Sequence, residues 1–196
     1  MARRKLEKYL TRQFEQQVGR ASVEREQKYR VGDVSTMRRR LLKLGAEPHA
    51  AGFERNELFD SNGALRAQGR KLRLRRHGNH PAVLTLKGPR LNGSHKRRME
   101  VETPVRYEAA KHILELLGYR VHETYSKLRE EYRLEGCAVC LDHIPECGWF
   151  LEIEGPRGKI VDIARRLQLR ASDRETLSYR KLIRKHTKAV SAAVGI

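Results

Sequence analysis

The sequence predicts an α+β fold built on antiparallel strands, with closure of the sheet into a barrel as one outcome. Three observations carry that expectation. Many short segments alternate apolar and charged residues with the period of two that marks a strand. A few segments instead repeat apolar residues at helical spacing. Gly, Asn and Pro punctuate the stretches between them.

Residues 1–21 stand apart from the rest. Leu6, Leu10, Phe14 and Val18 recur every four residues with Tyr9 beside them, and Arg3, Arg4, Lys5, Lys8 and Arg12 cover the remainder. This is the pattern of a basic amphipathic helix stopped near Gly19. Such a helix packs on the main domain or on a second subunit, as in a homodimer, or serves as an arm for a membrane surface or nucleic acid. Glu7, Glu15 and the lack of serine there argue against a transit peptide.

The main domain is expected over 22–186. Its first strand covers 22–31. A helix follows over 33–44, with Asp33 or Ser35 as cap, Val34, Met37, Leu41 and Leu44 as its apolar stripe, and Gly45 as its stop. A second strand covers 52–60, and Asn62-Gly63 marks a turn. Strands near 71–76 and 82–87 are separated by Gly78, Asn79 and Pro81. Pro89 to Ser94 reads as a loop, 95–103 as a strand, and 107–117 as a helix ended by Gly118. Strands near 121–133, 137–142 and 149–154 come next, the last broken by Gly155-Pro156. Helices near 159–168 and 174–186 close the domain, and 187–196 forms a loose tail.

With 196 residues the chain is long enough to bury a core. Its net charge of +18 calls for an anionic partner: nucleic acid, an acidic membrane surface or a phosphorylated small molecule. No apolar run approaches the roughly 20 residues of a membrane span, and no signal-peptide core opens the chain. Three cysteines make a disulfide framework improbable. Together these point to a reducing, cytoplasmic setting.

The charges are ordered along the strands. Glu24, Glu26 and Lys28 share one face of the first strand, Arg73 and Arg75 one face of another, and Thr85 and Lys87 one face of the next. Arg98, Glu100 and Glu102 share a face opposite Met99 and Val101. Lys127 and Arg129 lie opposite Leu128, and Glu152 and Glu154 lie opposite Leu151 and Ile153. Asp142 sits between Leu141 and His143. A single charged strand face ordinarily meets water. Seven such strands, with apolar helix stripes that need the opposite faces, imply that the charges line one interior if the sheet closes. That interior must be wet, because a charge moved into an apolar interior costs several kcal/mol unless well paired. Carboxylates suit magnesium or manganese, and lysine and arginine suit phosphate oxygens. A polyphosphate carrying a divalent metal satisfies both.

In this order the motifs resemble the CYTH superfamily, the triphosphate tunnel metalloenzymes. The Glu-x-Glu-x-Lys signature is matched by Glu24, Glu26 and Lys28. There follow Arg73-x-Arg75, Lys87, Arg98-x-Glu100-x-Glu102, Lys127-x-Arg129, Asp142, Glu152-x-Glu154, and Ser178-Tyr179 with Leu182. The segments Lys87–Arg90 and Tyr125–Tyr132 are most similar to the class IV adenylyl cyclase branch. The resemblance implies an eight-stranded antiparallel tunnel with helices outside, and a metal-dependent reaction on ATP or another triphosphate. It implies metal at Glu24, Glu26, Asp142, Glu152 and Glu154, and phosphates at Lys28, Arg73, Arg75, Lys87, Arg98, Lys127 and Arg129. Its catalytic set is Glu24, Glu26, Lys28, Lys127 and Arg129. Glu100 and Glu102 either hold metal or orient the basic groups. One departure stands out: Arg25 and Gln27 occupy positions that are usually apolar in the family.

A cyclase would direct the ribose 3′-hydroxyl of ATP at the α-phosphorus and release pyrophosphate. A triphosphatase would direct water at inorganic triphosphate, thiamine triphosphate or a nucleotide. A basic nucleic-acid-binding protein is the rival of a different class, supported by the net charge and opposed by the repeated carboxylate pairs. Cys137, Cys140, His143 and Cys147 have zinc-like spacing, yet Cys137 and Cys140 fall on opposite faces of one strand. No Walker A or dinucleotide fingerprint occurs, so phosphates must be held by side chains.

Overall fold

The computed structural model describes residues 22–91 and 97–194; the expected N-terminal helix lies outside them. Strand β1 (Ser22–Val31) leads through Gly32 into α1 (Val34–Lys43). Asp33 caps α1, its carboxylate accepting from the Thr36 N–H at 3.0 Å. Met37 and Leu41 are the buried residues of its stripe. At the far end Gly45 takes φ 82°, a conformation that favours glycine, and stops the helix. Strand β2 (Glu47–Asp60) starts five residues earlier than expected from the sequence. After the Asn62-Gly63 turn comes one turn of helix, α2 (Ala64–Ala67), which the sequence pattern did not announce. It is held by Asp60, whose carboxylate accepts from the Leu65 and Arg66 backbone N–H groups.

Strands β3 (Lys71–His77), β4 (Ala82–Leu91) and β5 (Arg97–Val105) follow, then α3 (Tyr107–Leu116). Strand β4 runs through Pro89, where a loop was expected, because a register shift between Lys87 and Arg90 accommodates the proline. Strands β6 (Arg120–Leu134), β7 (Cys137–Ile144) and β8 (Gly148–Glu154) lie close to their expected spans. Helix α4 covers Arg157–Arg166. The expected helix start at 174 is corrected. Ala171–Asp173 forms a 3₁₀ turn, Arg174–Glu175 forms a short strand β9, and the last helix, α5, runs Tyr179–Val194. It continues through most of the expected loose tail.

The strands hydrogen-bond in the order β5-β4-β3-β2-β6-β7-β8-β1-β9, with a further β5–β1 pairing. The α+β antiparallel class stands, with nine strands among the described residues where eight were expected. The ninth is the two-residue β9, paired with Lys28 and Tyr29 of β1. No helix among the described residues is long and apolar enough to cross a membrane.

The chain falls into two compact units. The first holds Asn56–Thr124 with the start of β1; the second holds Arg25–Arg55 and the chain from Tyr125 onward. In the first, α3 lays Ala110 and Leu114 against Phe59, Leu74 and Ala82, with Leu72, Leu84 and Val105 around them. In the second, α1 and α4 cover one face of β1, β7 and β8, burying Val31, Leu41, Val139, Leu151, Ile153 and Ile163. Ile144 and Phe150 pack instead against Tyr179 and Leu182 of α5. The expected apolar cover is incomplete: Leu86, Met99 and Leu128 stay 40%, 52% and 48% exposed.

Candidate functional site

In the second unit, strand pairing sets charged residues opposite one another. Lys28 of β1 faces Glu152 of β8, and Arg129 of β6 faces Asp142 of β7. The side chains meet as the register directs. Lys28 Nζ lies 3.1 Å from Glu152 and donates to the Leu177 carbonyl at 3.2 Å. Arg129 donates Nε and Nη2 to the two Asp142 oxygens, each at 2.7 Å, and Nη2 also to Glu152 at 2.8 Å. Lys127 Nζ donates to Asp142 at 2.9 Å and lies 3.4 Å from Glu54 of β2. The Tyr179 hydroxyl, at the start of α5, donates to Asp142 at 2.7 Å. The same ring carries the Lys28 ammonium 3.6 Å from its centre.

Asp142 has no solvent exposure, and Lys28 and Lys127 are buried as well. Burial pushes the Asp142 carboxyl up, but Arg129 and Lys127 outweigh it and hold the group well below the usual carboxylate range. Glu152 is lowered in the same way, burial opposed by Lys28 and Lys127. Burial would lower Lys127, yet Asp142, Glu54 and Glu152 keep it charged and raised. Burial and the Asp142 charge both raise the Tyr179 phenol, so it stays a donor. Replacing buried ion pairs by apolar residues of similar volume is often neutral or stabilising, so stability does not account for this cluster.

The first unit holds a second cluster. Glu100, buried on β5, lies 2.8 Å from Lys87 and 3.8 Å from Arg73. Glu102 lies 3.3 Å from Arg73 and 3.9 Å from Arg75, and accepts from the Thr85 hydroxyl at 2.6 Å. Burial raises Glu102, but the Thr85 hydrogen bond and the two arginines lower it overall. Both carboxylates therefore sit among Arg73, Arg75 and Lys87, within reach to orient them.

The predicted residues thus separate by charge. Beside its three cations Lys28, Lys127 and Arg129, the second unit brings Glu54, Asp142 and Glu152. Glu26 and Glu154 are opposed in the β1–β8 register. Each is two residues from a member of the Lys28–Glu152 pair, so both share its face. The first unit is richer in cations, with Arg73, Arg75 and Lys87 against Glu100 and Glu102. Glu24 lies on β1, and Arg98 lies on β5 opposite Arg90; their side chains are outside those described.

A divalent metal would meet carboxylates here. Asp142 and Glu152 also neutralise lysine and arginine, and Glu26 and Glu154 lie on the same face. Magnesium ordinarily takes one or two carboxylates and completes its shell with water and substrate phosphates, so the chemistry of these side chains suits it. No group of three or more His, Cys, Asp or Glu side chains gathers as a metal cage among the described residues. The zinc-like cysteines also stay apart. Cys137 is in the α1–α4 core and Cys147 packs beside Phe150, while His143 stacks on Trp149 with centroids 4.9 Å apart. Burial pushes the Cys140 thiol up to about 12 in spite of Arg129.

Sequence reasoning missed Glu54, and it gave Tyr179 no role. Glu54 has no second acid or base two residues away, its neighbours on that face being Gly52 and Asn56, and no family motif marks it. Tyr179 was visible only as half of a Ser-Tyr pair followed by Leu182.

The CYTH domain family model matches residues 22–176. A Methanocaldococcus jannaschii protein named "Putative adenylate cyclase" is 29% identical over 135 residues, which cover 67% of this chain and 76% of that protein. The X-ray structure of a Vibrio parahaemolyticus protein with the same description superposes with a TM-score of 0.75 at 23% identity, over 84% of this chain and 99% of the other. A Hippeastrum protein, described as a "Putative adenylyl cyclase" that "reveals a dominant" triphosphatase activity, has a TM-score of 0.62 at 17% identity, over 83% and 95%. The structural likenesses show a shared fold.

Proposed function

The chain belongs to the CYTH domain family, and from that premise we propose that it is a divalent-metal-dependent enzyme acting on a triphosphate. The favoured reaction is conversion of ATP to cyclic AMP and pyrophosphate. The observation that carries this reading is the division of charge. One cluster pairs three cations with three acids and has Glu26 and Glu154 on the same strand face, and the other sets Arg73, Arg75 and Lys87 against two carboxylates.

Glu26 and Glu154, with Glu24 by the family pattern, would hold magnesium or manganese, which supplies Lewis-acid activation of the attacking hydroxyl. Arg129 is fixed through Nε and Nη2, so Nη1 keeps donors for a phosphate oxygen. Asp142 and Glu54 position Lys127 and Arg129, and Glu152 positions Lys28. Arg73, Arg75 and Lys87, held by Glu100 and Glu102, are assigned to phosphate oxygens and oppose the negative charge that grows on the leaving group. In the cyclase reaction the 3′-oxygen forms a bond to the α-phosphorus, and the bond to the bridging oxygen of pyrophosphate breaks.

Hydrolysis of a triphosphate by the same groups is the second reading. It is favoured by the activity described for the Hippeastrum protein of this fold. The test is incubation with ATP, inorganic triphosphate and thiamine triphosphate, with magnesium or manganese. Cyclic AMP and pyrophosphate are expected from ATP. Phosphate release without cyclic AMP would assign the chain to the second reading, and no turnover of any of the three would remove both.

A further inference from the structure

A further concentration of charge lies on α5. This helix carries five Lys or Arg residues and no Asp or Glu. Lys181, Arg184, Lys185 and Lys188 are spaced i, i+3, i+4, i+7 and so fall on one face. All four are exposed. The opposite face holds Tyr179, Leu182 and Ile183, packed with Ile144 and Phe150. The core of the second unit therefore fixes the helix with its basic row outward.

We propose that this row docks on the phosphate backbone of a nucleic-acid duplex. Lys181 and Lys188 are about 10 Å apart along the axis at about 1.5 Å per residue. A duplex presents a negative charge about every 1.7 Å of axis with both strands counted, so a row of four cations over that length can meet several phosphates where a strand runs beneath it. The exposed row contains no aromatic side chain on which the bases of a single strand would stack. An anionic membrane also attracts lysine, but a helix lying in that interface buries an apolar face in lipid. Here Tyr179 and Leu182 are already committed to the second unit's core. The contact reads no sequence, and DNA and RNA duplexes offer it the same chemistry. It is independent of the triphosphate reaction.

The test is fluorescence anisotropy of labelled DNA and RNA duplexes of about two helical turns, from about 50 to about 200 mM salt. The wild-type chain is expected to bind at least one duplex, with affinity falling steeply with salt. The Lys181→Gln/Lys185→Gln/Lys188→Gln variant should flatten the log-affinity against log-salt slope by about 3, roughly 0.9 for each lost phosphate contact. Lys185→Gln alone should flatten it by about 1. A control removes three exposed charges elsewhere, Lys43→Gln/Arg70→Gln/Arg106→Gln, and should leave most of the slope in place. The proposal is overturned if neither duplex binds, if the α5 variants keep the wild-type slope, or if the control loses as much. Tighter binding to phosphatidylserine vesicles than to either duplex would overturn it as well.

Discussion

Asp142 accepts from three side chains, Lys127, Arg129 and Tyr179, in a position closed to solvent. Asp142→Asn removes the negative charge and leaves two buried cations short of a partner. The expected loss is about 3–5 kcal/mol, the usual result of breaking a buried pair, read by urea denaturation at neutral pH. The sign of the pH effect follows from the depressed carboxyl. Its stabilisation is complete above the unfolded value near pH ~4 and fades as pH falls towards the lower folded value. The wild type should therefore lose stability below about pH 4, and Asp142→Asn should lose less over that interval; parallel loss in both would contradict the assignment. Tyr179→Phe keeps the ring beneath Lys28 but removes one donor to a charged acceptor, an expected cost of about 1.5–3 kcal/mol. At this scale the sequence exposed paired charges, and a solitary one only where the family order marked it. Asp142 was legible in that order, while Glu54 carried neither spacing nor motif to mark it. Its partners come from β6, more than seventy residues on.

The elements show how local chemistry set the boundaries. Helix α1 was readable because cap, stripe and stop residues agree. The start of α5 was not, because Arg174 and Glu175 are drawn into pairing with β1 and no local rule foretells that partner. Strand β1 also answers the question of Arg25 and Gln27. Gln27 is buried, and its side-chain oxygen accepts from the Tyr29 hydroxyl at 2.5 Å. A polar residue is thus satisfied where the family places an apolar one. Arg25 contributes its carbonyl, which accepts from the Gly155 N–H at 3.1 Å. A side chain at Gly155 would place its Cβ 2.6 Å from Cys137 Sγ, so Gly155→Ala should cost about 1–3 kcal/mol through overpacking. Cys137→Ala in the same chain should recover part of that loss in a double-mutant cycle. Strictly additive costs would show that the contact is not the cause.

For the whole molecule, the sequence order of charged strand faces anticipated the antiparallel α+β class and the residues that gather within each unit. It did not anticipate the division into two units, because β1, β2 and β6 each contribute to both. Nor could it say which carboxylates are spent on cations, since that depends on cross-strand register: Arg129 opposite Asp142, Lys28 opposite Glu152, Glu26 opposite Glu154. That register shows two of the five acids, Asp142 and Glu152, positioning lysine and arginine. The most direct measurement of the proposed metal site is metal-dependent triphosphate consumption by the wild type and by Glu26→Gln/Glu154→Gln. The wild type should consume a triphosphate with magnesium or manganese and stop on chelation. The variant should lose at least about 100-fold, about 2.7 kcal/mol of barrier, with its melting temperature little changed. Undiminished metal-dependent turnover in that folded variant would contradict the account.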